Sequence, residues 1–102
     1  MYSAPSGRCP FTDWFEGLKD SLGRRAINDR IARMELGNFG DSRDLRDGLW
    51  ELRIDLGPGY RIYFSVISKC KVLLLLGGIK RTQNRDIIKA KKILREFKAT
   101  SF

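Results

Sequence analysis

The chain has 102 residues, of which 42% are hydrophobic, and this length accommodates one compact domain but not two. Twenty Lys and Arg against twelve Asp and Glu give a net charge of +8, which predicts an acidic partner such as a nucleic acid. Because the chain has no histidine, Ser/His/Asp catalysis and zinc sites with histidine ligands are excluded.

The remaining composition gives no sign of a metal site, a disulfide or a membrane segment. Cys9 and Cys70 form neither a CxxC pair nor a zinc-ligand set, so we expect both to be reduced and structural. No basic N-terminal segment precedes an apolar one, and the longest apolar run, residues 72–79, is too short to cross a bilayer. We therefore expect a single cytoplasmic domain over residues 1–102, without a membrane partner.

Helical periodicity dominates the first part of the chain. Residues 1–10 are expected to form an irregular lead or a weak edge strand. A first amphipathic helix is predicted from Phe11 with an interruption at Gly23, and a second is predicted to end at Leu36, with a cap at Gly37. The apolar face of the first helix consists of Phe11, Trp14, Phe15, Leu18 and Leu22. We expect this face to be core.

Strand periodicity follows a polar, glycine-rich loop over residues 37–48. Apolar and polar residues alternate over residues 49–56 and again over 60–66, and Gly57-Pro58-Gly59 predicts a turn between two antiparallel strands. A third run, residues 71–76, is apolar on both faces and predicts a strand that is buried on both sides and ended by two glycines.

A closing helix is predicted after Thr82, which is a suitable N-cap residue. The order of elements is therefore helix, helix, three antiparallel strands and helix. This order is typical of a small α+β domain in which two N-terminal helices pack on an antiparallel sheet and a C-terminal helix completes the fold.

One face of the predicted sheet carries polar residues that are candidates for a site. A tight turn at Pro58 would place Arg53 opposite Tyr63 and Asp55 opposite Arg61, all on the face away from the apolar core. Two interpretations stay open at this point. The face is either a solvated surface with a weak cross-strand ion pair, or a site that binds an anion.

The C-terminal segment holds the other concentration of positive charge. The cations between residues 80 and 98 are Lys80, Arg81, Arg85, Lys89, Lys91, Lys92, Arg95 and Lys98. Only Asp86 and Glu96 oppose them, so this segment carries most of the net charge. It is either a solvated helix face or an electrostatic surface for nucleic acid, and Lys80 and Arg81 could reach the rim of the polar sheet face.

The segments and their order resemble the RelE/ParE toxin superfamily, in the HigB-like branch of addiction module killer proteins. The resemblance spans Phe11 to Ala90, about four-fifths of the chain. The matching residues are Phe11, Trp14 and Leu18, GNFGD at 37–41, ELRI at 51–54, GPGYRIYF at 57–64, LLLLGGIK ending at Lys80, Gln83, and DI at 86–87.

The resemblance implies a RelE-like fold and the toxin of a type II toxin–antitoxin system. It implies a cognate helix-turn-helix antitoxin, with operator DNA bound only through that antitoxin. The implied activity is endoribonuclease cleavage of mRNA on the ribosome. Attack of a ribose 2′-hydroxyl on the adjacent phosphate uses a base, an acid and positive charge at the phosphorane, so neither a metal nor another cofactor is expected.

On this resemblance Arg61 and Arg53 are assigned to the scissile phosphate, because a guanidinium binds phosphate in a bidentate fork and keeps its charge. Lys80 is the third cation of the expected catalytic set. Tyr63 is expected either to transfer a proton or to stack on a base, and both roles stay open. The cations expected to contact ribosomal RNA or the antitoxin are Arg81, Arg85, Lys89 and Lys92.

Two departures from the family pattern leave other functions open. The segment before Phe11 matches the usual first strand poorly, and the last twenty residues contain neither the Tyr nor the His that related ribonuclease toxins place there. Asp86 is expected to be structural, since a carboxylate in the first turn of a helix is favourable by itself. The alternatives are a ParE-like toxin that inhibits DNA gyrase without a catalytic centre, and a non-catalytic nucleic-acid-binding module or degenerate toxin.

Overall fold

A computed structural model describes residues 9–68 and 71–100 of the chain. Its elements are α1 (Pro10–Glu16), α2 (Ser21–Glu35), β1 (Ser42–Asp44), β2 (Trp50–Ile54), β3 (Tyr60–Ser68), β4 (Lys71–Ile79), a 3-10 turn (Lys80–Thr82) and α3 (Gln83–Thr100). The predicted N-terminal lead falls almost entirely on residues 1–8, outside the described residues, and Cys70 lies outside them too. Cys9 is a free thiol whose sulfur accepts a hydrogen bond from the Thr12 hydroxyl.

The four strands form one antiparallel sheet in the order β1-β2-β3-β4. Helices α1 and α2 pack on one face of this sheet, and α3 packs on the other. The predicted α+β class, with two helices before an antiparallel sheet and one helix after it, is confirmed. No helix in the described ranges is long and apolar enough to cross a membrane.

The break between the first two helices lies at residues 17–20 and not at Gly23. The carboxylate of Asp20 accepts a hydrogen bond from the Gly23 backbone N–H at 3.1 Å, so Asp20 caps a new helix and Gly23 falls in its first turn. Leu22 is 67% exposed and does not belong to the apolar face of α1, contrary to the prediction. The other four predicted residues of that face pack in the core.

The C-terminal end of α2 has the glycine cap that the sequence predicts. Gly37 adopts a left-handed conformation with φ of +91°, its N–H donates to the Met34 carbonyl, and the Asn38 N–H donates to the Arg33 carbonyl. This pair of bonds is a Schellman cap, which requires a residue that tolerates positive φ. The predicted cap at Gly37 is confirmed.

The sheet has one strand more than predicted, because β1 lies within the expected loop. Three residues are too few for alternation to be visible in the sequence. A left-handed turn at Arg46, Asp47 and Gly48 reverses the chain into β2, and the Leu45 N–H donates to the Leu49 carbonyl at 2.8 Å. The predicted three-stranded sheet is therefore a four-stranded one.

The predicted register between β2 and β3 is wrong by two residues. Arg53 pairs with Arg61 and Ile54 with Tyr60, so the connection is a five-residue loop rather than a three-residue turn. A shift of two keeps every side chain on its predicted face, since the period of a strand is two. Asp55 lies exposed in the loop and is not opposite Arg61, so the cross-strand ion pair of the first interpretation does not form between these two residues.

Strand β4 is buried on both sides, as predicted, but it does not end at the two glycines. It continues through them to Ile79, and both helical layers approach the strand closely at the two glycines. A Cβ at Gly77 would overlap the Trp14 indole on one face, and a Cβ at Gly78 would overlap the Asp86 carboxylate on the other. Glycine in this strand thus allows close packing and does not terminate it.

Candidate functional site

Helix α3 covers the polar sheet face for which the sequence allowed two interpretations. Glu51 and Tyr63 are 0% exposed and Arg61 is 7% exposed. The interpretation of this face as a solvated surface is therefore wrong for Arg61 and Tyr63. Alternation shows which side chains share a face, but it does not show that a helix from a later part of the chain packs on that face.

Two arginines stand directly opposite each other on β2 and β3. Arg53 donates from Nε to Glu51 Oε1 at 2.9 Å, whereas Arg61 donates from Nη1 to the backbone carbonyl of Tyr60 at 3.1 Å. Arg61 Nε is buried without a hydrogen-bond partner, and Arg61 forms no ion pair among the described residues. Like charges at such a pair repel. Among the described residues only Arg53 of the two is bound to a carboxylate, so the pair carries a surplus positive charge.

Lys80 follows β4 at the same end of the sheet. Its backbone N–H donates to the Gly59 carbonyl at 2.8 Å, and its side chain is exposed. A Cβ built on Gly59 would lie 3.2 Å from Lys80 Cβ and 3.5 Å from Arg61 Nη1, so Gly59 lies between these two cationic residues. The structure therefore brings the three predicted phosphate-binding cations, Arg53, Arg61 and Lys80, to one end of the sheet.

Tyr63 occupies a different environment from the one predicted. Its ring packs in the core beneath α3, and its hydroxyl is buried without a hydrogen-bond partner. Burial, and then the nearby negative charge of Glu51, raise the pKa of the phenol above its ordinary value of 10. The stacking role is not compatible with this packing, and the buried neutral phenol has no contact with solvent for proton exchange.

The start of α3 is fixed to the sheet by hydrogen bonds. Thr82 lies in the 3-10 turn just before α3, and its hydroxyl donates to Asp86 Oδ2 at 2.5 Å. The carboxylate of Asp86 is buried above Gly78. This packing agrees with the structural role that the sequence analysis expects for Asp86. Gln83 Nε2 donates to Glu51 Oε2 at 2.8 Å, so the first residue of α3 binds the same glutamate as Arg53 does.

Glu51 is the residue of this site that sequence reasoning missed. It alternates with apolar neighbours as any exposed strand residue would, so its spacing carries no sign of burial. Glu51 lies two residues before Arg53 on β2 and so shares the polar face with it. This placement indicates a buried partner only when the position of α3 is known. Gln83 was named only as a residue that matches the family pattern, and its contact with Glu51 was missed because a single glutamine before a helix has no distinctive spacing.

The predicted RNA-binding residues Arg81, Arg85, Lys89 and Lys92 are all exposed. Arg85, Lys89 and Lys92 recur at helical spacing and share one face of α3. Beside them lies an open groove of about 340 Å3, lined by Lys80, Arg81, Thr82, Gln83, Asn84 and Arg85. The basic surface is thus continuous along the chain with the cations at the sheet end.

The chain is similar in sequence to a bacterial protein of no assigned activity. No family model and no solved structure matches the chain. An uncharacterized protein of Haemophilus influenzae is 45% identical over 86 residues, which cover 84% of this chain and 87% of the relative. The chain belongs to the same family as this Haemophilus protein. The name of this relative assigns no activity to it.

The chemical capacity of the site is anion binding. Guanidinium groups bind phosphate through two parallel hydrogen bonds, and an ammonium adds a point charge. Within the described residues no group of three or more acidic or cysteine side chains is placed to hold a metal ion. The exposed cations of α3 extend the positive field beyond the sheet end, as a polyanion would require.

Proposed function

We propose that this protein is the toxin of a type II toxin–antitoxin pair of the RelE/ParE type, in its HigB-like branch. We propose that it cleaves mRNA on the ribosome as an endoribonuclease. The observation that carries this proposal is the pair of opposed arginines next to exposed Lys80, in which Arg53 is bound to the Glu51 carboxylate and Arg61 to no carboxylate among the described residues. The residue resemblance over four-fifths of the chain supports the same function.

In this proposal the cations act on the scissile phosphate. Arg53 and Arg61 bind its oxygens and stabilise the negative charge that grows when the 2′-hydroxyl attacks. Arginine keeps its proton at every physiological pH, so it stabilises charge and does not transfer protons. Of the four residues predicted to be catalytic, Lys80 is the exposed one. In this proposal its ammonium therefore gives a proton to the leaving 5′ oxygen, and water accepts the proton of the attacking 2′-hydroxyl.

The exposed residues Arg81, Arg85, Lys89 and Lys92 would contact ribosomal RNA around the substrate, or the antitoxin when it is bound. A helix-turn-helix antitoxin with an acidic docking segment would associate rapidly, because a net charge of +8 steers an acidic partner. Operator DNA would be bound through the antitoxin, and we propose a cytoplasmic location for the whole system.

The test is induced expression of the wild type and of Arg61→Met, with growth and the integrity of a translated reporter transcript as readouts. Methionine keeps most of the buried volume of Arg61 and removes its charge, whereas Arg61→Ala would also leave a cavity. Arg25→Met, on the exposed face of α2, is the matched control. We expect arrest and cleavage with the wild type and Arg25→Met, and neither with Arg61→Met.

A folded Arg61→Met variant that still arrests growth and cleaves the transcript would refute the assignment. Circular dichroism of the purified variants establishes that each one is folded. If neither the wild type nor the variants arrest growth, the protein is a non-catalytic nucleic-acid-binding module or a degenerate toxin.

The burial of Tyr63 favours a second candidate, a ParE-like inhibitor of DNA gyrase. With this phenol under α3, the site exposes cations and no tyrosine among the described residues. A binding protein needs no acid or base, so this composition suits inhibition as well as catalysis. Growth arrest with an intact transcript, together with loss of gyrase supercoiling in a purified assay, would establish this function instead.

A further inference from the structure

The side chain of Glu51 is fully buried, and each of its oxygens has one partner. Oε1 accepts from Arg53 Nε at 2.9 Å, and Oε2 accepts from Gln83 Nε2 at 2.8 Å. Arg53 lies two residues along the same strand, whereas Gln83 is the first residue of α3. One carboxylate therefore joins a candidate phosphate-binding arginine to the helix that covers the sheet.

Stability alone does not account for a carboxylate at this position. Removing a charge from water is costly, and buried ion pairs are often no more stable than apolar residues of similar volume. The neighbours of Glu51 would accept an apolar side chain, because Tyr63 faces it across the strands and the leucines of the core beneath α3 surround that tyrosine. The specific effect of the carboxylate is to fix the direction of the groups that it binds.

The group whose direction matters is the guanidinium of Arg53. Its side chain is 25% exposed, and its Nε is held by Glu51. Within residues 9–68 and 71–100 its terminal Nη groups form no hydrogen bond. A guanidinium is planar, so a bond at Nε fixes the plane in which the free Nη groups can donate.

We propose that Glu51 is a positioning residue for Arg53, and that Gln83 holds Glu51 in place. Docking of α3 on the sheet thereby sets the orientation in which Arg53 meets its ligand. The identity of that ligand as an RNA phosphate rests on the function proposed above. The orientation of Arg53 does not rest on it and can be measured in the free protein.

The first experiment measures the mobility of Arg53 by NMR of the arginine Nε–Hε groups in the free protein. In the wild type we expect Arg53 Nε–Hε to exchange slowly with water and to be as rigid as the backbone. Glu51→Met, which keeps the volume and removes both bonds, should make this group as mobile as exposed Arg25. Glu51→Gln keeps one acceptor oxygen and should restore part of the rigidity. Unchanged mobility of Arg53 in Glu51→Met would overturn the proposal.

The second experiment measures the affinity for a short single-stranded RNA whose riboses are 2′-O-methylated, so that cleavage is blocked. Glu51→Met should weaken binding by about tenfold, the effect of one charge-assisted hydrogen bond. Glu35→Met is the control, because it removes the same negative charge from an exposed site on α2. Loss of a negative charge alone strengthens attraction to RNA, so a weaker affinity in Glu51→Met has the opposite sign to the charge effect.

A double-mutant cycle separates positioning from a general structural role. In an Arg53→Ala background, Glu51→Met should cause no further loss of RNA affinity, because the residue that it positions is absent. An equal loss in both backgrounds would mean that Glu51 acts on the fold as a whole, and would overturn the proposal. If the wild type does not bind the RNA at all, the proposed function fails, while the NMR result still decides whether Glu51 positions Arg53.

Discussion

The two tyrosines at the start of β3 provide a matched pair for which the same substitution should have opposite effects. Both rings are buried, at 3% exposure for Tyr60 and 0% for Tyr63. The Tyr60 hydroxyl donates to Asp20 Oδ2 at 2.7 Å, whereas the Tyr63 hydroxyl has no hydrogen-bond partner. Replacing tyrosine by phenylalanine removes a bond in one case and an unpaired polar group in the other.

The expected magnitude follows from the cost of a buried, unpaired hydroxyl, which is about 1–3 kcal/mol. Removing this hydroxyl stabilises the fold, but the small cavity that it leaves offsets part of that gain. We therefore expect Tyr63→Phe to raise the free energy of unfolding by about 1 kcal/mol. Tyr60→Phe should lower it, because Asp20 loses its tyrosine donor.

Urea unfolding followed by circular dichroism measures both changes. With an m-value of about 1–3 kcal/mol/M, the midpoint should rise by about 0.3–1 M for Tyr63→Phe and fall for Tyr60→Phe. Under the proposed toxin function, growth arrest by Tyr63→Phe should equal that of the wild type, since the phenol has no access to a substrate in this packing.

Two results would refute this reasoning. If Tyr63→Phe lowers the midpoint as Tyr60→Phe does, the hydroxyl has a partner and the account of its burial is wrong. If Tyr63→Phe is stable but no longer arrests growth, the phenol takes part in the chemistry, and the role of Tyr63 in proton transfer has to be reinstated.

Three further predictions concern packing, pH and charge. Gly78→Ala should lower the free energy of unfolding by about 2 kcal/mol in urea titration, since its Cβ overlaps the buried Asp86 carboxylate. Burial and the hydrogen-bonded carboxylate of Asp20 raise the pKa of Tyr60 to about 12. The contribution of Tyr60 to stability is therefore complete below pH 10 and is lost as the pH rises to about 12. In thermal unfolding, the melting temperature of Tyr60→Phe should fall less steeply over this pH range than that of the wild type. Lys89→Gln with Lys92→Gln should reduce the slope of log affinity against log salt for single-stranded RNA by about 1.4 and leave the unfolding midpoint almost unchanged.

The cations of the candidate site could be predicted from the sequence, but the residues that contact them could not. Arg53, Arg61 and Lys80 could be placed at one end of the sheet because each lies at a known step from a turn or a strand end. Glu51 could not be recognised as their internal partner. Its burial depends on α3, more than thirty residues later, and no local spacing encodes that contact.

The sequence by itself determined the type and order of the main elements, since helix and strand periods are local properties of the chain. It also determined which side chains share a sheet face, because a register error of two residues leaves the faces unchanged. Tertiary structure alone decided the pairing of Arg53 with Arg61, the continuation of β4 through Gly77 and Gly78, and the burial of Tyr63. These features arise where layers meet, and the packing of one layer on another is set by residues far apart in the chain.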